Sequence, residues 1–308
     1  MRTGNPQNPG VGNNSGTGND TSNIVGTSPK PRRRNRKGIL NNLIVIVVII
    51  AVMGGGAYIV NSVFSNQEVI PSVLSNQEVL TVNGVTFKMV KVKAGTFTMG
   101  ATSEMENPFA EERPTHLVTL TKDYYIGKTE VTQALWKAVM ESNPSHFQGD
   151  NKPVENVSWI DCQMFISKLN SMTGKKFRLP TEAEWEFAAR GGNWTKGYQY
   201  SGSNSLDDVA WFDENSGDTT HDVATKQPNE LGLYDMSGNV WEWCADWYGS
   251  YSSNAQYDPV GPSSGSCRVN RGGGWGIIAG GCRSSCRGNF DPDFRSPGLG
   301  MRLVLSEE

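Results

Sequence analysis

The pattern of apolar and polar positions divides the chain into an N-terminal apolar run and a longer mixed body. Residues 39–60 form an uncharged stretch rich in Ile and Val. Its length is about what a helix rising 1.5 Å per residue needs to cross the roughly 30 Å hydrocarbon core of a bilayer. The pattern therefore predicts a transmembrane helix over residues 39–60.

Periodicity and capping residues predict three helices in the body. Helices are expected over about residues 131–141 and 158–172, where apolar positions recur at helical spacing. A third helix is predicted to begin after Thr181, because Glu184 completes a capping-box pattern and Gly191 supplies a stop signal. Short alternating runs between glycines predict strands in much of the remainder. This mixture favours an α+β fold with much irregular structure.

The residues before the apolar run are polar and basic. Residues 1–29 are rich in Gly, Asn, Ser and Thr, so they lack the apolar surface that offsets chain entropy and are expected to be disordered. A basic cluster follows at residues 30–37. Residues 1–38 therefore carry a charge of +6, which leaves −9 for the rest of a chain whose net charge is −3. The positive-inside rule predicts that residues 1–38 form a cytoplasmic tail and that the body lies outside the cytoplasm.

Two other interpretations are disfavoured. A cleaved signal peptide is unfavoured because the polar leader is long and no clear small-residue cleavage site follows the apolar run. Single-pass anchoring in the cell membrane is the prediction that remains.

Nucleic-acid binding requires a basic face, and the body is mildly acidic. The sequence therefore predicts a membrane partner and no nucleic-acid partner.

A tandem ten-residue repeat follows the apolar run. SVFSNQEVIP at residues 62–71 is followed by SVLSNQEVLT at residues 72–81. Two copies are too few for a solenoid, which needs about three stacked units. Residues 61–81 are therefore predicted to form a stalk, and residues 82–308 the body that the stalk holds away from the membrane.

Motifs recur along nearly the whole body in one consistent order. They are GTFTMG (95–100), GKTEVT (127–132), PVENVSW (153–159), RLPTEAEWEFAARGG (178–192), PNELGLYDMSGNVWEWCADW (228–247), RVNRGGGW (268–275) and GLGMRLV (298–304). Together they resemble the sulfatase-modifying factor, or formylglycine-generating enzyme, family. The resemblance implies a variant of the C-type-lectin-like fold with little regular secondary structure for its size.

The resemblance also implies a calcium site within DMSGNVWE. Its ligands are expected to be the side chain of Asp235, the backbone carbonyls of Gly238 and Val240, and the carboxylate of Glu242. Calcium is a hard cation that accepts carboxylate and carbonyl oxygens together. The alternative is a metal-free turn in which Asp235 caps backbone amides.

Catalytic members of the family hold Cu(I) between two cysteines and oxidise a substrate cysteine to formylglycine with O₂. The corresponding region here contains Cys282 and Cys286, the candidate catalytic pair. Soft thiolates suit Cu(I), but three residues separate this pair where catalytic members have four. The alternative is that Cys282 is a small buried apolar residue, as is also expected for Cys162 and Cys244.

We predict structural roles for the charged residues near these motifs. Glu182 and Glu186 are expected on the solvated face of the third helix. Carboxylates such as Asp293 are expected to form bidentate pairs with arginines that hold loops in place. These arginines are Arg190, Arg271, Arg287 and Arg302.

The sequence leaves two functions open. The first is a non-catalytic binding or scaffold module of the cell envelope, with another envelope protein or a glycan as its partner. The second is a formylglycine-generating oxidase that uses copper and O₂. The spacing of Cys282 and Cys286 favours the first.

Overall fold

The computed structural model describes residues 49–52, 57–60 and 76–307. In the N-terminal unit, β1 (Ile49–Val52) and β2 (Ala57–Val60) pair as antiparallel strands. These residues were predicted to be helical, and the remainder of the predicted span 39–60 lies outside the described residues, as does the tail 1–38. The β-branched Ile and Val of these segments favour extended backbone. Among the described residues, no helix has the length and apolarity needed to cross a membrane.

The body contains the three predicted helices. They are α1 (Gln133–Met140), α2 (Trp159–Thr173) and α3 (Glu182–Ala189), and a single turn, α4 (Leu206–Val209), follows them. The capping predictions are confirmed. The Thr181 hydroxyl accepts the Glu184 N–H at 3.1 Å, and the Glu184 carboxylate accepts the Thr181 N–H at 2.9 Å. Both orphan donors at the start of α3 are therefore satisfied by one pair of residues.

A five-stranded sheet forms one side of the body. Its strand order is β3-β4-β7-β14-β8, and every neighbouring pair is antiparallel. The strands are β3 (Gln77–Val82), β4 (Val85–Val92), β7 (Tyr124–Gly127), β8 (Phe177–Arg178) and β14 (Val304–Ser306). The last described strand, β14, thus lies inside the sheet, between β7 and β8.

The second copy of the repeat belongs to this sheet, so the predicted boundary at residue 82 is wrong. Strand β3 covers the whole of QEVLT, residues 77–81, together with Val82, and it pairs with β4 from Gln77↔Val90 to Val82↔Val85. Asn83 and Gly84 connect the strands with φ values of 46° and 81°. Two consecutive positive φ values with the sequence Asn-Gly favour a tight hairpin turn. Residues 72–75 lie outside the described residues.

Two smaller sheets carry the motif segments. A four-stranded sheet has the order β12-β11-β9-β13, and a three-stranded sheet has the order β10-β6-β5. The strands are β5 (Gly95–Met99), β6 (His116–Leu120), β9 (Trp241–Trp247), β10 (Gln256–Tyr257), β11 (Arg268–Arg271), β12 (Arg287–Phe290) and β13 (Leu299–Met301).

The apolar core has two main parts. In one, α1 and α2 pack together, with Trp136 stacked on Phe165 at a ring-centroid distance of 4.9 Å. In the other, Trp185 and Phe187 of α3 pack inward among residues of β4, β6 and β9. Helix α3 is buried on nearly every side. Its polar side chains must therefore find partners inside the protein.

Candidate functional site

The two candidate catalytic cysteines lie inside the protein. Cys282 ends a 3₁₀ turn, Ala279–Cys282, and is 0% exposed, while Cys286 is 3% exposed. The Cys286 N–H donates to the Arg283 carbonyl at 3.0 Å, so the segment between them is a tight turn. Neither cysteine lines any of the five main cavities of the described body. A substrate in one of these cavities therefore does not contact either thiol.

The turn between the cysteines is held by buried charges. The Glu112 carboxylate accepts from the Arg283 guanidinium and from the Ser285 hydroxyl. The Arg271 guanidinium donates to the Ser284 and Cys286 carbonyls. All six of these residues are buried. Because breaking a buried pair costs several kcal/mol, these contacts favour a fixed turn with its thiols inside.

Burial also makes both thiols poor sources of thiolate. Desolvation raises the pKa of Cys286 to about 12 and raises the pKa of Cys282 even further above its usual value. The nearby Glu112 carboxylate adds to the effect at Cys286. Copper(I) and nucleophilic chemistry both use the thiolate rather than the thiol. The donor set therefore does not fit a copper centre that substrate can reach.

An ionic chain, rather than a solvated helix face, occupies the charged side of α3. Glu186 lies between Arg271 and Arg190, and Glu182 accepts two bonds from Arg287, at 2.7 and 2.6 Å. The predicted exposure of Glu182 and Glu186 is wrong, because both are buried and paired with three arginines, Arg190, Arg271 and Arg287. The predicted bidentate role of the arginines is confirmed at Arg287. Its partner is Glu182 rather than the exposed Asp293.

The predicted calcium ligand Glu242 is paired with Arg302. The Arg302 guanidinium donates to both Glu242 oxygens, at distances from 2.7 to 3.0 Å, and the Trp185 indole N–H donates to Oε2 at 2.6 Å. All three side chains are fully buried. The Arg302 guanidinium therefore already balances the charge of the Glu242 carboxylate before any metal ion binds.

Further carboxylates share this buried region with Glu242. Asp235 Oδ2 accepts the Ala224 N–H at 2.7 Å, and Glu130 Oε1 accepts the Val240 N–H at 3.1 Å. Glu130 was not among the predicted residues, although it lies in the GKTEVT motif. Only its burial beside Asp235 and Glu242 distinguishes it from an ordinary loop carboxylate. Desolvation, followed by mutual repulsion, raises the pKa of Glu130 well above its usual value.

This region contains oxygen donors of the kinds that calcium accepts. Three carboxylates and one guanidinium leave excess negative charge if all are ionised, and desolvation raises the pKa of Asp235 to about 6. Among the described residues, no hydrogen bond ends on the carbonyl oxygen of Gly238 or Val240. No three His, Cys, Asp or Glu side chains of the described part converge on one metal position. The predicted set has only two such side chains and depends on backbone carbonyls for the rest.

Asp246, on β9, is a buried acid beside Glu182 at the end of the ionic chain. Its raised pKa makes the stability of the fold depend on pH. Burial and the neighbouring Glu182 raise its pKa from 3.8 to about 7. The folded state therefore holds the proton more tightly than the unfolded state. Its contribution to stability is complete below pH 3.8 and is lost as the pH rises through about 7.

We expect the unfolding free energy to fall by about 2–3 kcal/mol between pH 5 and pH 8 because of Asp246 alone. Urea unfolding at several pH values measures it. Asp246→Asn cannot ionise and should flatten this part of the curve, whereas the exposed Asp213→Asn should not. Equal slopes for the wild type and Asp246→Asn would contradict the assignment.

Comparisons with known proteins agree with this geometry. Residues 76–307 match the family described as the sulfatase-modifying factor enzyme 1-like domain. The chain is 35% identical over 240 residues to the chaperone protein LppX of Paenibacillus barcinonensis, covering 62% of this chain and 82% of that protein. It is 36% identical over 173 residues to the formylglycine-generating enzyme of Streptomyces coelicolor, covering 50% and 52%. The chain thus spans only about half the length of that enzyme.

Among solved structures, the Treponema denticola variable protein 1 is similar over its whole length. The TM-score is 0.69 at 36% sequence identity, covering 75% of this chain and 99% of that chain. PvdO from Pseudomonas aeruginosa has the same fold, with a TM-score of 0.63 at 26% identity. By its motifs, its mixed helix and sheet fold and these matches, the chain belongs to the sulfatase-modifying factor, or formylglycine-generating enzyme, family.

Proposed function

We propose that this chain is a membrane-anchored, extracytoplasmic binding or scaffold module of the cell envelope, and not a copper-dependent oxidase. One observation carries the proposal. The cysteines at the family's catalytic region, Cys282 and Cys286, are buried, protonated and fixed by Glu112 and Arg271. The fold of the family and its buried ion pairs are present here, but these two thiols are enclosed. The fold can therefore serve as a scaffold even though neither thiol is accessible for a reaction.

The anchoring part of the proposal comes from the sequence. Residues 39–60 are long and apolar enough for a span, and the basic cluster before them favours a cytoplasmic N-terminus. Membranes from cells making the full chain, washed with alkaline carbonate, should retain it. Protease added outside the membrane should degrade the body and spare the tail. Recovery of the chain in the wash would contradict the anchor.

Oxygen consumption with a Cys-x-Pro-x-Arg peptide tests the absence of oxidase activity. The full chain, supplied with Cu(I), should consume no more O₂ than the Cys286→Ser variant, because neither thiol reaches substrate or solvent. The formylglycine-generating enzyme of Streptomyces coelicolor provides a positive control. Peptide oxidation that disappears in Cys286→Ser would overturn the proposal and support the oxidase alternative, which the 36% identity to that enzyme favours.

Calcium is proposed as the ion held by the Asp235 side chain, the Gly238 and Val240 carbonyls and the Glu242 carboxylate, with Glu130 beside this set. It would offset the excess charge and fix the loop, and no reaction step is assigned to it. Saturating Ca²⁺ should raise the Tm by about 5 °C or more, since a ligand at 100 times its Kd adds about 2.7 kcal/mol. EGTA should reverse the rise.

A pair of variants separates a specific site from general charge screening. Asp235→Asn should lose most of the calcium-dependent rise in Tm, whereas the exposed Asp293→Asn should keep it. An unchanged Tm in wild type on adding Ca²⁺ and EGTA, with no heat of binding in calorimetry, would sink the calcium proposal.

A further inference from the structure

A cavity of about 420 Å³ lies beside Glu182 of α3. It is bounded by Asp246 and Trp247 at the end of β9 and by His116 of β6. The loop of residues 249–262 forms its outer wall. No residue of the predicted calcium or copper sets lines it.

Two buried side chains lining this cavity keep a polar atom without a protein partner. Asp246 is 4% exposed, and its Oδ2 accepts the Glu182 N–H at 2.9 Å. Its Oδ1 has no hydrogen-bond partner among the described residues. His116 is 5% exposed, and its Nδ1 lies 3.4 Å from the Pro114 carbonyl. Its Nε2 likewise has none within the described body, and neither this atom nor Asp246 Oδ1 is among the fully enclosed unpartnered atoms, so both are open to a ligand.

The cavity also lacks a counter-charge for Asp246. Arg287, which also lines the cavity, is committed to both oxygens of Glu182, and the Tyr251 hydroxyl donates to the same carboxylate at 3.0 Å. Among the described residues, no salt bridge reaches Asp246. A cationic ligand would supply the missing partner, and an anion would meet two carboxylates.

Aromatic rings provide the rest of the lining. Trp247 and Tyr251 form part of the wall, but their rings already carry the guanidiniums of Arg268 at 3.5 Å and Arg287 at 3.9 Å. Tyr257, 73% exposed, lies at the opening and is the ring left for a ligand among these three. Aromatic faces attract cations, and an ammonium near them gains more when it is desolvated. A carboxylate combined with aromatic walls is the chemistry that recognises an organic ammonium rather than a neutral ligand.

The geometry distinguishes among cations. A calcium ion needs six to eight oxygen ligands, and only one carboxylate oxygen is free here. A guanidinium pairs best with both oxygens of a carboxylate, but Oδ2 of Asp246 is taken by the Glu182 N–H. A primary ammonium has three separate donors. One can reach Asp246 Oδ1, and another can reach His116 Nε2 when the Nδ1–H faces the Pro114 carbonyl.

We propose that this cavity binds a primary ammonium group on an aliphatic chain, of the kind that a lysine side chain presents. Asp246 Oδ1 and His116 Nε2 accept its N–H groups, and Tyr257 covers the entrance. This inference rests on the proposed binding function and adds the chemical class of the ligand. Its test is independent of the cysteines, so its failure is distinguishable from oxidase activity, which oxygen consumption measures.

Titration of the detergent-solubilised full chain with n-butylammonium, followed by calorimetry, tests the site, with n-butanol as the uncharged probe of the same shape. Wild type should bind n-butylammonium saturably and bind n-butanol at least about tenfold more weakly, since the charge-assisted bond is absent. Asp246→Asn should weaken ammonium binding by about tenfold or more. The exposed Asp213→Asn should leave it unchanged.

Tyr257→Ala keeps the proposal testable if Asp246→Asn fails to fold, because this ring is mostly exposed. It should weaken ammonium binding about threefold through the lost cation–π contact, with no change in Tm. Three results would overturn the proposal: no saturable ammonium binding by wild type, equal binding of n-butanol, or equal weakening by Asp246→Asn and Asp213→Asn.

Discussion

Replacing Arg302 with Met should cost about 3–5 kcal/mol of unfolding free energy, the range expected when one partner of a buried ion pair is removed. The side chain donates to both Glu242 oxygens and also to the Gly127 and Tyr234 carbonyls, at 2.9 and 2.8 Å. Met has a similar length, so the main loss is charge and hydrogen bonding. Glu242 would remain buried beside Glu130 with no cation to neutralise it.

Arg295→Met is the matched control. Arg295 also makes a two-point pair, with Asp161 at 2.7 and 3.0 Å, but this pair lies at the surface. Exposed pairs contribute about 0–1 kcal/mol. Urea unfolding of both variants should therefore separate them by at least about 2 kcal/mol. Equal losses would mean that the buried framework does not stabilise the fold as inferred.

Gly238→Ala is expected to destabilise the body by about 3 kcal/mol or more, by combining strain with a steric clash. Gly238 has φ of +81°, a conformation that L-residues rarely adopt. A Cβ there would overlap the Trp211 carbonyl oxygen and lie 2.9 Å from the Trp211 nitrogen. That carbonyl accepts the Asn239 N–H at 2.8 Å, so it cannot move away without breaking a bond.

Gly217→Ala separates the two causes. Gly217 has φ of +62°, but a Cβ there would meet nothing within 4 Å. It should therefore cost only about 1 kcal/mol, from backbone strain alone. Thermal unfolding of the two variants should give a clearly larger fall in Tm for Gly238→Ala. A similar fall in both would show that the loop around Gly238 relaxes freely.

Local signals predicted the parts of the fold that depend on local physics. The start of α3 was predictable because Thr181 and Glu184 satisfy each other's backbone donors within four residues. The burial of Cys162 and Cys244 was predictable because both lie in apolar patterns. The role of the second repeat copy was not predictable, since β3 is specified by pairing with β4 and not by its own periodicity.

The polar interior depends on contacts between residues distant in sequence. Glu186 on α3 has the local context of an exposed helical glutamate paired with Arg190, and Arg271, 85 residues later, supplies the second cation that its buried carboxylate needs. Glu130 is similarly defined by Asn239, 109 residues away. A family motif indicates that such residues matter, but it does not indicate which carboxylate pairs with which arginine.

The turn between Cys282 and Cys286 likewise depends on a distant contact that the sequence does not reveal. Counting the residues between Cys282 and Cys286 indicates a departure from the catalytic pattern. It does not reveal that Glu112, more than 170 residues earlier in the chain, anchors the turn between them. Burial of the thiols follows from that long-range contact.

The affinity of the full chain for Cu(I), measured by competition with a chromophoric copper chelator, tests the central claim most directly. We expect no binding that competes with the chelator, and indistinguishable curves for wild type and Cys286→Ser, because both thiols are enclosed and protonated. Stoichiometric, tight Cu(I) binding by wild type that is lost in Cys286→Ser would contradict the account and show that this turn opens to form a metal site.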